Sequence, residues 1–299
     1  MKQDKAIPPP GLFRVAKGSR PAPINIGAIR AALQEDAPDG DLASTLTIPQ
    51  TARARAVLKA KQDFTAAGTE VFAAVFRQVD SGLKVSLKVR DGVVVRKGEI
   101  MARVIGSARS ILMAERVALN YLIRLSAIAT LTASYVEAVR RSGCLILDTR
   151  KTTPGLRALE KYAVLVGGGA NHRNDLSQMA LIKENHIAVA GGVMDAIAMA
   201  KRGLGPDGYF AIEVTNIQEL KEALDGGAPH ILLDNMSPAM MKQAVKTAAG
   251  RVWLEASGNM TLARAAQAAK AGVDFVSVGA LTHSAPGVDV SLMVEVLKK

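Results

Sequence analysis

The chain has 299 residues, of which 49% are apolar, and it carries a formal net charge of +11. This composition can bury a large core in one big or two ordinary domains, and it excludes a disordered protein. The charge fits nucleic acid, a small anionic substrate or a solvated surface. Nucleic acid is disfavoured, because its binding surfaces interleave clustered basic residues with aromatics, and aromatics make up only 4% of this chain.

The cysteine content and the apolar segments indicate a soluble, cytoplasmic protein. Cys144 is the single cysteine, so no intrachain disulfide can form. Its place at the start of an apolar run predicts a buried strand residue and not a catalytic thiol. One cysteine and four scattered histidines show no zinc-ligand spacing. We expect no membrane span and no secretory signal, since no apolar run reaches about 20 residues.

Residues 1–22 predict a flexible basic tail, with five basic residues and one acidic residue. A disordered extension without function is the simplest interpretation of this tail. The apolar spacing of Ile26, Ile29 and Leu33 then predicts a short helix. A turn cluster at 38–41 follows it.

Residues 53–105 change to the two-residue period of strands. RARAVLKAKQ, LKVSLKV and GVVVRKG predict strands, and VFAAVFRQVD predicts a helix. Asp91-Gly92, between the last two strands, predicts a tight hairpin. This region contains no obvious chemistry and is interpreted as a scaffold, a wall or an oligomer interface.

From residue 106 onward the sequence predicts a long helix, because apolar residues recur three and four positions apart. Ser110 is the expected cap, and a bend is expected near Ser126. On spacing alone, Arg116 and Arg124 on this helix are interpreted as solvated or salt-bridged.

After Gly143, short apolar runs alternate with helical segments. The runs are LILDTR (145–150), ALIKEN (180–185), FAIEVT (210–215), HILLDN (230–235), VWLEAS (252–257) and FVSVGA (275–280). This alternation predicts βα units and a parallel sheet, and six units without a dinucleotide-binding glycine fingerprint favour a barrel. The strand C-termini and the loops after them form the active face of such a barrel.

Polar residues at these strand ends are therefore expected around one mouth. They are Arg150, Lys151, Lys183, Glu213, Asp234, Glu255 and Ser257. Together with Arg173, the cations could neutralise a dicarboxylate or a polyphosphate. Glu213 and Asp234 could hold a magnesium–phosphate complex or stabilise positive charge on a sugar ring. Segments 255–259 and 277–284 pair small residues with glycine, as phosphate-binding barrel loops do.

Structural interpretations compete for each of these residues taken singly. A strand-end carboxylate can be a salt-bridge partner, His172 or His283 can be structural, and Gly167-Gly168-Gly169 can be a helix C-cap and turn. Their common placement at one end of the predicted barrel argues against an all-structural account.

The motifs of this chain resemble those of the quinolinate phosphoribosyltransferase family. The similarity begins at ALQEDAPDGDLASTLTIP, continues through AERVALNYLIRLSAIAT (114–130) and is densest in LDTRKTTPGLRALEKYAVLVGGGANHR (147–173). ALIKENHI, IEVTN, LLDNM, LEASGN and SVGALTHSA follow in the family's order. The resemblance covers roughly residues 24–299.

The resemblance implies an α/β protein with an N-terminal α/β sandwich domain (23–125 with 286–299) and a C-terminal, incomplete α/β barrel (126–285), as in type II phosphoribosyltransferases. It implies a reaction of NAD biosynthesis, in which quinolinate and phosphoribosyl pyrophosphate give nicotinate mononucleotide, pyrophosphate and carbon dioxide with Mg²⁺. Family members are dimers, or hexamers built from dimers, with active sites shared at the subunit interface.

The resemblance also assigns site residues, position by position. The quinolinate-binding group is Arg116, Arg150, His172, Arg173 and Lys183, and Arg116 reaches the neighbouring subunit's site. The catalytic group is Lys151, Glu213 and Asp234, of which Glu213 and Asp234 hold Mg²⁺ directly or indirectly. The ribose- and phosphate-binding group is Thr149, Lys151, Glu213, Asp234, Ser257, Gly258, Asn259, Val278, Gly279, Ala280 and His283.

Three positions depart from the family pattern: Glu184 stands where Asp is usual, Asp175 where glycine is frequent, and Asn259 where a second glycine is common. None removes a proposed charged group, so they affect substrate positioning and not the reaction class. Two alternatives stay open. One is a paralogue of the same fold associated with molybdenum transport, against which Lys183 argues, and the other is a non-catalytic protein that binds anions or nucleic acid.

Overall fold

The structure is a computed structural model that describes residues 22–205 and 208–297. The predicted tail at 1–22 therefore lies outside the described residues, except for Ala22. Up to residue 139 the elements are α1 (Ile26–Asp36), α2 (Leu42–Thr47), β1 (Arg53–Ala60), β2 (Phe64–Thr65), α3 (Thr69–Val79), β3 (Lys84–Leu87), β4 (Val94–Val95), β5 (Ile100–Ser107) and α4 (Ala108–Val139). From residue 145 they are β6 (Leu145–Leu147), α5 (Arg157–Val166), β7 (Ala180–Ile182), α6 (Glu184–Ala190), α7 (Val193–Leu204), β8 (Phe210–Val214), α8 (Ile217–Asp225), β9 (His230–Asp234), α9 (Pro238–Ala248), β10 (Trp253–Ser257), α10 (Leu262–Ala271), β11 (Phe275–Ser277), α11 (Ala280–His283) and β12 (Val290–Val296).

The described residues pack as two compact units. The sandwich unit consists of residues 22–133, Thr153–Gly168 and 285–297. The barrel unit consists of Ser134–Thr152, 169–205 and 208–284. Helix α5 belongs to the sandwich unit, although it follows the first barrel strand in the chain. The domain boundaries expected from the sequence stay predictions.

The sandwich unit is built on an antiparallel sheet with the strand order β12–β1–β5–β3. Every second residue of β1 is buried, because successive side chains of a strand point to opposite faces. The register between β1 and β12 runs from Ala54 opposite Val296 to Ala60 opposite Val290. A strand near the end of the chain therefore completes a sheet whose other strands come from its first third.

The hairpin predicted at Asp91-Gly92 is wrong. Strand β3 pairs with β5, and β4 pairs with β2, so the strands on either side of Asp91 are not partners. The Asp91 carboxylate instead accepts the N–H groups of Gly68 at 2.7 Å and Thr69 at 2.9 Å. It caps α3, whose first N–H groups would otherwise have no acceptor. The Val93 N–H donates to the Arg90 carbonyl oxygen at 3.3 Å, so a turn is present at Asp91-Gly92, but it does not join two paired strands.

Helix α4 is continuous from Ala108 to Val139. The Ser107 hydroxyl accepts the N–H of Ser110 at 3.3 Å, so the cap is Ser107 and the cap predicted at Ser110 is wrong. By length and composition α4 could cross a membrane, but half of its most apolar 18-residue window is buried inside the protein. Its Ser126 hydroxyl accepts the N–H of Ala67 at 3.0 Å.

The barrel unit contains a parallel sheet with the strand order β6–β11–β10–β9–β8–β7. All six predicted strands are present, and the helices predicted between the later ones are α8, α9 and α10. Among the described residues β6 and β7 do not pair, and Ala170 forms an isolated bridge with Leu147 beside β6. The barrel is therefore incomplete, as the family resemblance implies. Phe275, Trp253 and Leu147 pack together in its interior.

Cys144 is buried, as predicted, but it lies immediately before β6 and is not a strand residue. Burial raises the pKa of its thiol to about 12. The glycine triplet also has a structural part, since Gly167 is the C-cap of α5. A Cβ on Gly167 would lie 2.5 Å from the carbonyl oxygen of Ala129 and 2.6 Å from Cβ of Thr132. The triplet thus lets α5 pack closely on α4.

Candidate active site

Four polar side chains meet at the C-terminal edge of the barrel sheet. Asp234 ends β9 and Ser257 ends β10, and the two residues are partners in the parallel register. Glu213 is the fourth residue of β8, and Lys183 directly follows β7. These four residues thus lie at one edge, as the strand spacing predicts.

The segments after β6 and β11 are held together at the same edge. The Lys151 N–H donates to the Thr149 hydroxyl at 3.1 Å, and the Thr282 hydroxyl donates to the Lys151 carbonyl oxygen at 2.8 Å. A Cβ on Gly279 would lie 2.9 Å from Cδ of Lys151 and 3.3 Å from Nε2 of His283. Glycine at 279 therefore lets the lysine stem pass beside this segment.

Two arginines, Arg150 after β6 and Arg173 before β7, are the cations predicted for the mouth. Burial lowers the pKa of Arg173, and the nearby charge of Arg150 lowers it further, while Asp175 acts in the opposite direction. Nε of Arg150 is buried without a hydrogen-bond partner among the described residues. Arg173 donates from Nη1 to the Met179 carbonyl oxygen at 2.9 Å. Neighbouring guanidinium groups repel each other, so this arrangement favours a bound anion.

Lys183 faces the acidic side of the mouth. Its Nζ lies 3.3 Å from Oε2 of Glu213, with the lysine side chain 52% exposed. Such an exposed pair contributes little to stability, so the ammonium group remains available to an anion. The Lys183 N–H donates to Nδ1 of His186 at 3.0 Å, which fixes the backbone at the start of α6.

Two side chains donate hydrogen bonds to Asp234, and a third side chain supports one of them. The Ser257 hydroxyl donates to Oδ1 at 3.1 Å, and the Asn235 amide donates to Oδ2 at 2.9 Å. The Asn259 amide in turn donates to Oδ1 of Asn235 at 3.3 Å. Asn235 and Asn259 have φ values of +52° and +47°, a left-handed conformation that asparagine tolerates better than most residues. A Cβ on Gly258 would overlap Oδ1 of Asn235.

The residues predicted to bind phosphate after β11 lie beside this edge, but the backbone N–H of Val278 already has an acceptor. Its N–H donates to the Leu147 carbonyl oxygen at 2.9 Å, and its side chain is buried. Ala280 begins α11. His283 is exposed, with Nδ1 2.6 Å from the Ser284 hydroxyl. Any N–H donors for a phosphate in this segment therefore come from residues other than Val278.

Glu255 does not lie at the mouth, and its predicted placement there is wrong. It is the third residue of β10 and is fully buried. Its Oε2 lies 3.1 Å from Nε2 of His230 and 3.4 Å from Nε2 of His172. Alternate residues of a strand share one face, so Glu255 is one inward position below Ser257, and only Ser257 reaches the edge.

Two residues of this buried cluster were not singled out in the sequence. His230 begins β9 and is 1% exposed, and its Nδ1 lies 2.9 Å from the Tyr209 hydroxyl. Burial raises the pKa of Tyr209, and the charge of Glu255 raises it further. One signal was available, because a glutamate in a buried strand requires a polar partner. The strand that supplies the partner depends on the register, which the sequence does not give.

The two arginines of α4 differ in their surroundings. Arg124 donates to Oε1 of the buried Glu160 from Nε at 2.9 Å and from Nη2 at 2.7 Å, which confirms its interpretation as salt-bridged. Arg116 is exposed. Its part in a neighbouring subunit's site stays a prediction.

The chemistry of the donor set fits a magnesium ion that arrives with a diphosphate. Residues 22–205 and 208–297 contain no group of three or more His, Cys, Asp or Glu side chains that could hold a metal ion alone. Mg²⁺ commonly takes one or two protein carboxylates and fills its other positions with phosphate oxygens and water. Glu213 and Asp234, which lie on adjacent strands of the sheet, can supply those carboxylates.

An incomplete α/β barrel with cations and carboxylates at its C-terminal edge defines a class of barrel enzymes that act on anionic substrates. The family model for the quinolinate phosphoribosyl transferase C-terminal domain matches residues 128–293, and the model for the N-terminal domain matches residues 41–126. The chain belongs to the quinolinate phosphoribosyltransferase family.

Individual relatives agree with this assignment. A chloroplastic nicotinate-nucleotide pyrophosphorylase (carboxylating) of Oryza sativa subsp. japonica is 42% identical over 286 residues, which cover 89% of this chain and 76% of the relative. The nicotinate-nucleotide pyrophosphorylase (carboxylating) of Mycobacterium leprae is 41% identical over 270 residues, covering 88% and 95%. A crystal structure of NadC from Streptococcus pyogenes superimposes with a TM-score of 0.86 at 40% identity, covering 91% and 96%. The predicted fold class, a sandwich domain with an incomplete barrel, is confirmed.

Proposed function

We propose that this protein transfers the phosphoribosyl group of phosphoribosyl pyrophosphate to the ring nitrogen of quinolinate. Loss of the 2-carboxylate then gives nicotinate mononucleotide, pyrophosphate and carbon dioxide, a step of NAD biosynthesis. The observation that carries the proposal is the strand edge at which Lys183 lies 3.3 Å from Glu213 and Asp234 lies beside Ser257, with Arg150 and Arg173 as neighbouring like charges. A dianionic pyridine relieves the repulsion and leaves the carboxylates for the ribose.

Quinolinate binding rests on the cations. Arg150 and Arg173 each offer two N–H groups in a fork that matches a carboxylate, and Lys183 adds a point charge. His172 follows Asn171 in the same segment, and its Nδ1 accepts the Arg173 N–H at 2.8 Å. Two carboxylates held at fixed positions orient the ring nitrogen toward C1 of the ribose, which lowers the entropic part of the barrier.

The carboxylates act on the ribose. When the bond from C1 to pyrophosphate breaks, its electron pair leaves with the pyrophosphate and positive charge develops on the sugar ring. Glu213 and Asp234 stabilise this charge, and Ser257 and Asn235 hold Asp234 in place for it. Glu213 and Asp234 would hold Mg²⁺ directly or through water, and the ion would neutralise charge on the pyrophosphate. Lys151, which lies beside Gly279, adds a positive charge for the pyrophosphate.

The 5′-phosphate is proposed to lie over the glycine-containing ends of β10 and β11. Gly258 and Gly279 leave room beside Asn235 and Lys151 respectively, so a phosphate oxygen can approach the backbone there. Ser257 and Thr149 offer hydroxyls on the ribose side. Asn259, Ala280 and His283 lie on the same two segments and complete the predicted set.

Decarboxylation follows from the new bond. Once the ring nitrogen bonds to C1 it becomes cationic, and the electron pair of the C2–carboxylate bond moves into the ring as carbon dioxide leaves. A proton then adds to C2. These steps need no redox cofactor, since the pyridinium ring itself accepts the electron pair.

We also propose a cytoplasmic homodimer, or a hexamer of dimers, with shared sites. Arg116 is an exposed arginine on α4, as a residue that serves another subunit must be. The cation requirement of a dianionic substrate supports a further arginine beyond Arg150 and Arg173.

A turnover assay tests the proposed function. The protein is incubated with Mg²⁺, phosphoribosyl pyrophosphate and quinolinate labelled in the 2-carboxylate, and carbon dioxide and pyrophosphate are both measured. We expect equal amounts of the two products. Nicotinate in place of quinolinate is the matched control and should be a poor substrate, because it lacks the second carboxylate.

Two outcomes would contradict the proposal in different ways. Pyrophosphate release without carbon dioxide would indicate a paralogue with another acceptor. No turnover, together with salt-dependent binding of nucleic acid that survives Arg150→Ala, would favour the non-catalytic anion-binding alternative.

A further inference from the structure

A buried polar cluster lies below the barrel mouth. Glu255 is fully buried, His230 is 1% exposed and His172 is 6% exposed. Oε2 of Glu255 lies between Nε2 of His230 at 3.1 Å and Nε2 of His172 at 3.4 Å. Although these distances are short, no donor meets hydrogen-bond geometry at either oxygen of Glu255 within the described residues. The contacts are therefore electrostatic in the main.

The neighbours of His172 fix its protonation. Its Nδ1 lies 2.8 Å from the Arg173 N, and that N–H donates to it. A ring nitrogen that accepts a hydrogen bond carries no proton. The single ring proton of His172 is therefore on Nε2, the nitrogen that faces Glu255. His172 is neutral in this arrangement.

The charge of Glu255 then requires another partner. Burial raises the pKa of Glu255, but the two histidines beside it outweigh the effect of burial, so the pKa is lowered. A buried carboxylate persists only beside a cation. Since Nδ1 of His172 already accepts the Arg173 N–H, we expect His230 to carry the balancing charge, with one N–H toward Glu255 and the other toward the Tyr209 hydroxyl.

Two buried carboxylates, those of Asp148 and Glu255, thus hold the backbone segment that contains His172 and Arg173. Oδ1 of Asp148 accepts the His172 backbone N–H at 2.9 Å, and Glu255 lies opposite the His172 ring. The ring in turn accepts the Arg173 N–H. Rotation of the imidazole would break that last contact and release the backbone of the arginine.

We propose that Glu255 is a positioning residue for quinolinate binding. Glu255 keeps the Nε2–H of His172 directed inward, so that Nδ1 of the same ring accepts the Arg173 N–H and holds the backbone of Arg173 in place. Glu255 touches neither substrate. His230 keeps Glu255 ionised, and Tyr209 orients His230. This inference rests on the proposed function for the identity of the ligand, but the arrangement of protons does not depend on it.

The proton arrangement can be read without any turnover. The full-length protein is labelled with ¹⁵N-histidine, and its four histidines are assigned with His186→Gln and His283→Gln. We expect His172 to be protonated on Nε2 alone and His230 on both nitrogens. Tyr209→Phe should shift the His230 signals and leave His172 unchanged. A doubly protonated His172, or a proton on its Nδ1, would overturn the proposal.

Kinetics then separates positioning from a general structural role. Glu255→Leu removes the carboxylate that faces both rings. We expect the KM for quinolinate to rise about tenfold or more with the KM for phosphoribosyl pyrophosphate little changed, as for loss of a buried polar contact. Glu255→Gln keeps an acceptor oxygen and should recover most of the loss. The matched control is Asp274→Asn, which changes a carboxylate that accepts the Leu254 N–H at 2.9 Å and should leave both KM values unchanged.

Other outcomes of these experiments would contradict the positioning role or separate it from the proposed function. Equal rises in both KM values, or equal effects of the leucine and glutamine variants, would show that Glu255 only supports the fold. If Glu255→Leu does not fold, Glu255→Gln and the ¹⁵N spectra still decide. If the wild-type protein shows the expected histidine protons but does not turn over quinolinate, the proposed function fails while the proton arrangement stands.

Discussion

Two fully buried glutamates, one in each unit, are held in different ways. In the sandwich unit, Oε1 of Glu160 accepts from Arg124 at 2.7 Å and from the Thr153 hydroxyl at 2.8 Å, and Oε2 accepts the Thr153 N–H at 3.0 Å. In the barrel unit, neither oxygen of Glu255 has a hydrogen bond from a described residue. A saturated carboxylate stabilises its surroundings, whereas an unsaturated one costs free energy and is typical of functional sites. Burial alone does not separate the two cases, but the donors do.

The largest effect is expected at the mouth, where charges are arranged for a ligand. Arg150→Ala should lower kcat/KM for quinolinate about a thousandfold, roughly 4 kcal/mol, because a carboxylate loses its partner. The melting temperature should stay the same or rise, since the change also relieves repulsion with Arg173. Arg140→Ala, which removes a surface arginine paired with Glu137, is the control. A melting temperature that falls together with activity would make Arg150 a structural residue.

The saturated glutamate should show the opposite pattern. Glu160→Ala should lower the free energy of unfolding by about 3–5 kcal/mol, because it removes the buried carboxylate that pairs with Arg124. Denaturant titration measures this change. The exposed Glu295 of the Arg55 pair is the comparison, and Glu295→Ala should not move the midpoint. Equal effects of the two variants would contradict the importance of burial and saturation.

Mixing two inactive variants tests whether the exposed arginine of α4 serves another subunit. Arg116→Ala and Lys183→Ala are each expected to be inactive alone. If sites are shared in a dimer, random exchange of subunits should restore about a quarter of the wild-type sites. Exchange is verified by mass spectrometry. No recovery after verified exchange would place Arg116 in its own subunit's site or outside any site.

The smallest effect is expected at the amide that supports Asp234. Asn259→Gly suits the φ of +47°, so stability should change by less than about 1 kcal/mol. The change removes the contact with Asn235, which orients Asp234, and the KM for phosphoribosyl pyrophosphate should rise a few-fold, as for a single neutral hydrogen bond. The quinolinate KM should not move. A change in the quinolinate KM would mean that Asp234 belongs to the other half of the mouth.

The barrel strands could be predicted because each is an apolar run that ends in polar residues. The depth of a side chain within the barrel could not, since it depends on strand length and register. Ser257 and Glu255 have the same face of β10 but only Ser257 reaches the edge. The partner strand of a buried acid is likewise a tertiary fact, so His230 was not found. Asp91 shows the same limit, because its carboxylate caps a helix that lies far from it in sequence.

The buried thiol of Cys144 is a probe of local opening in the barrel. It is the chain's single cysteine, it lies just before β6 at the end of the sheet opposite the mouth, and burial raises its pKa to about 12. Alkylating reagents attack the thiolate, so the native protein should resist them until this end of the barrel opens. The labelling rate of the unmodified protein therefore reports how often this end of the barrel opens locally. A ligand that binds at the mouth should slow the labelling only if the two ends of the barrel open together.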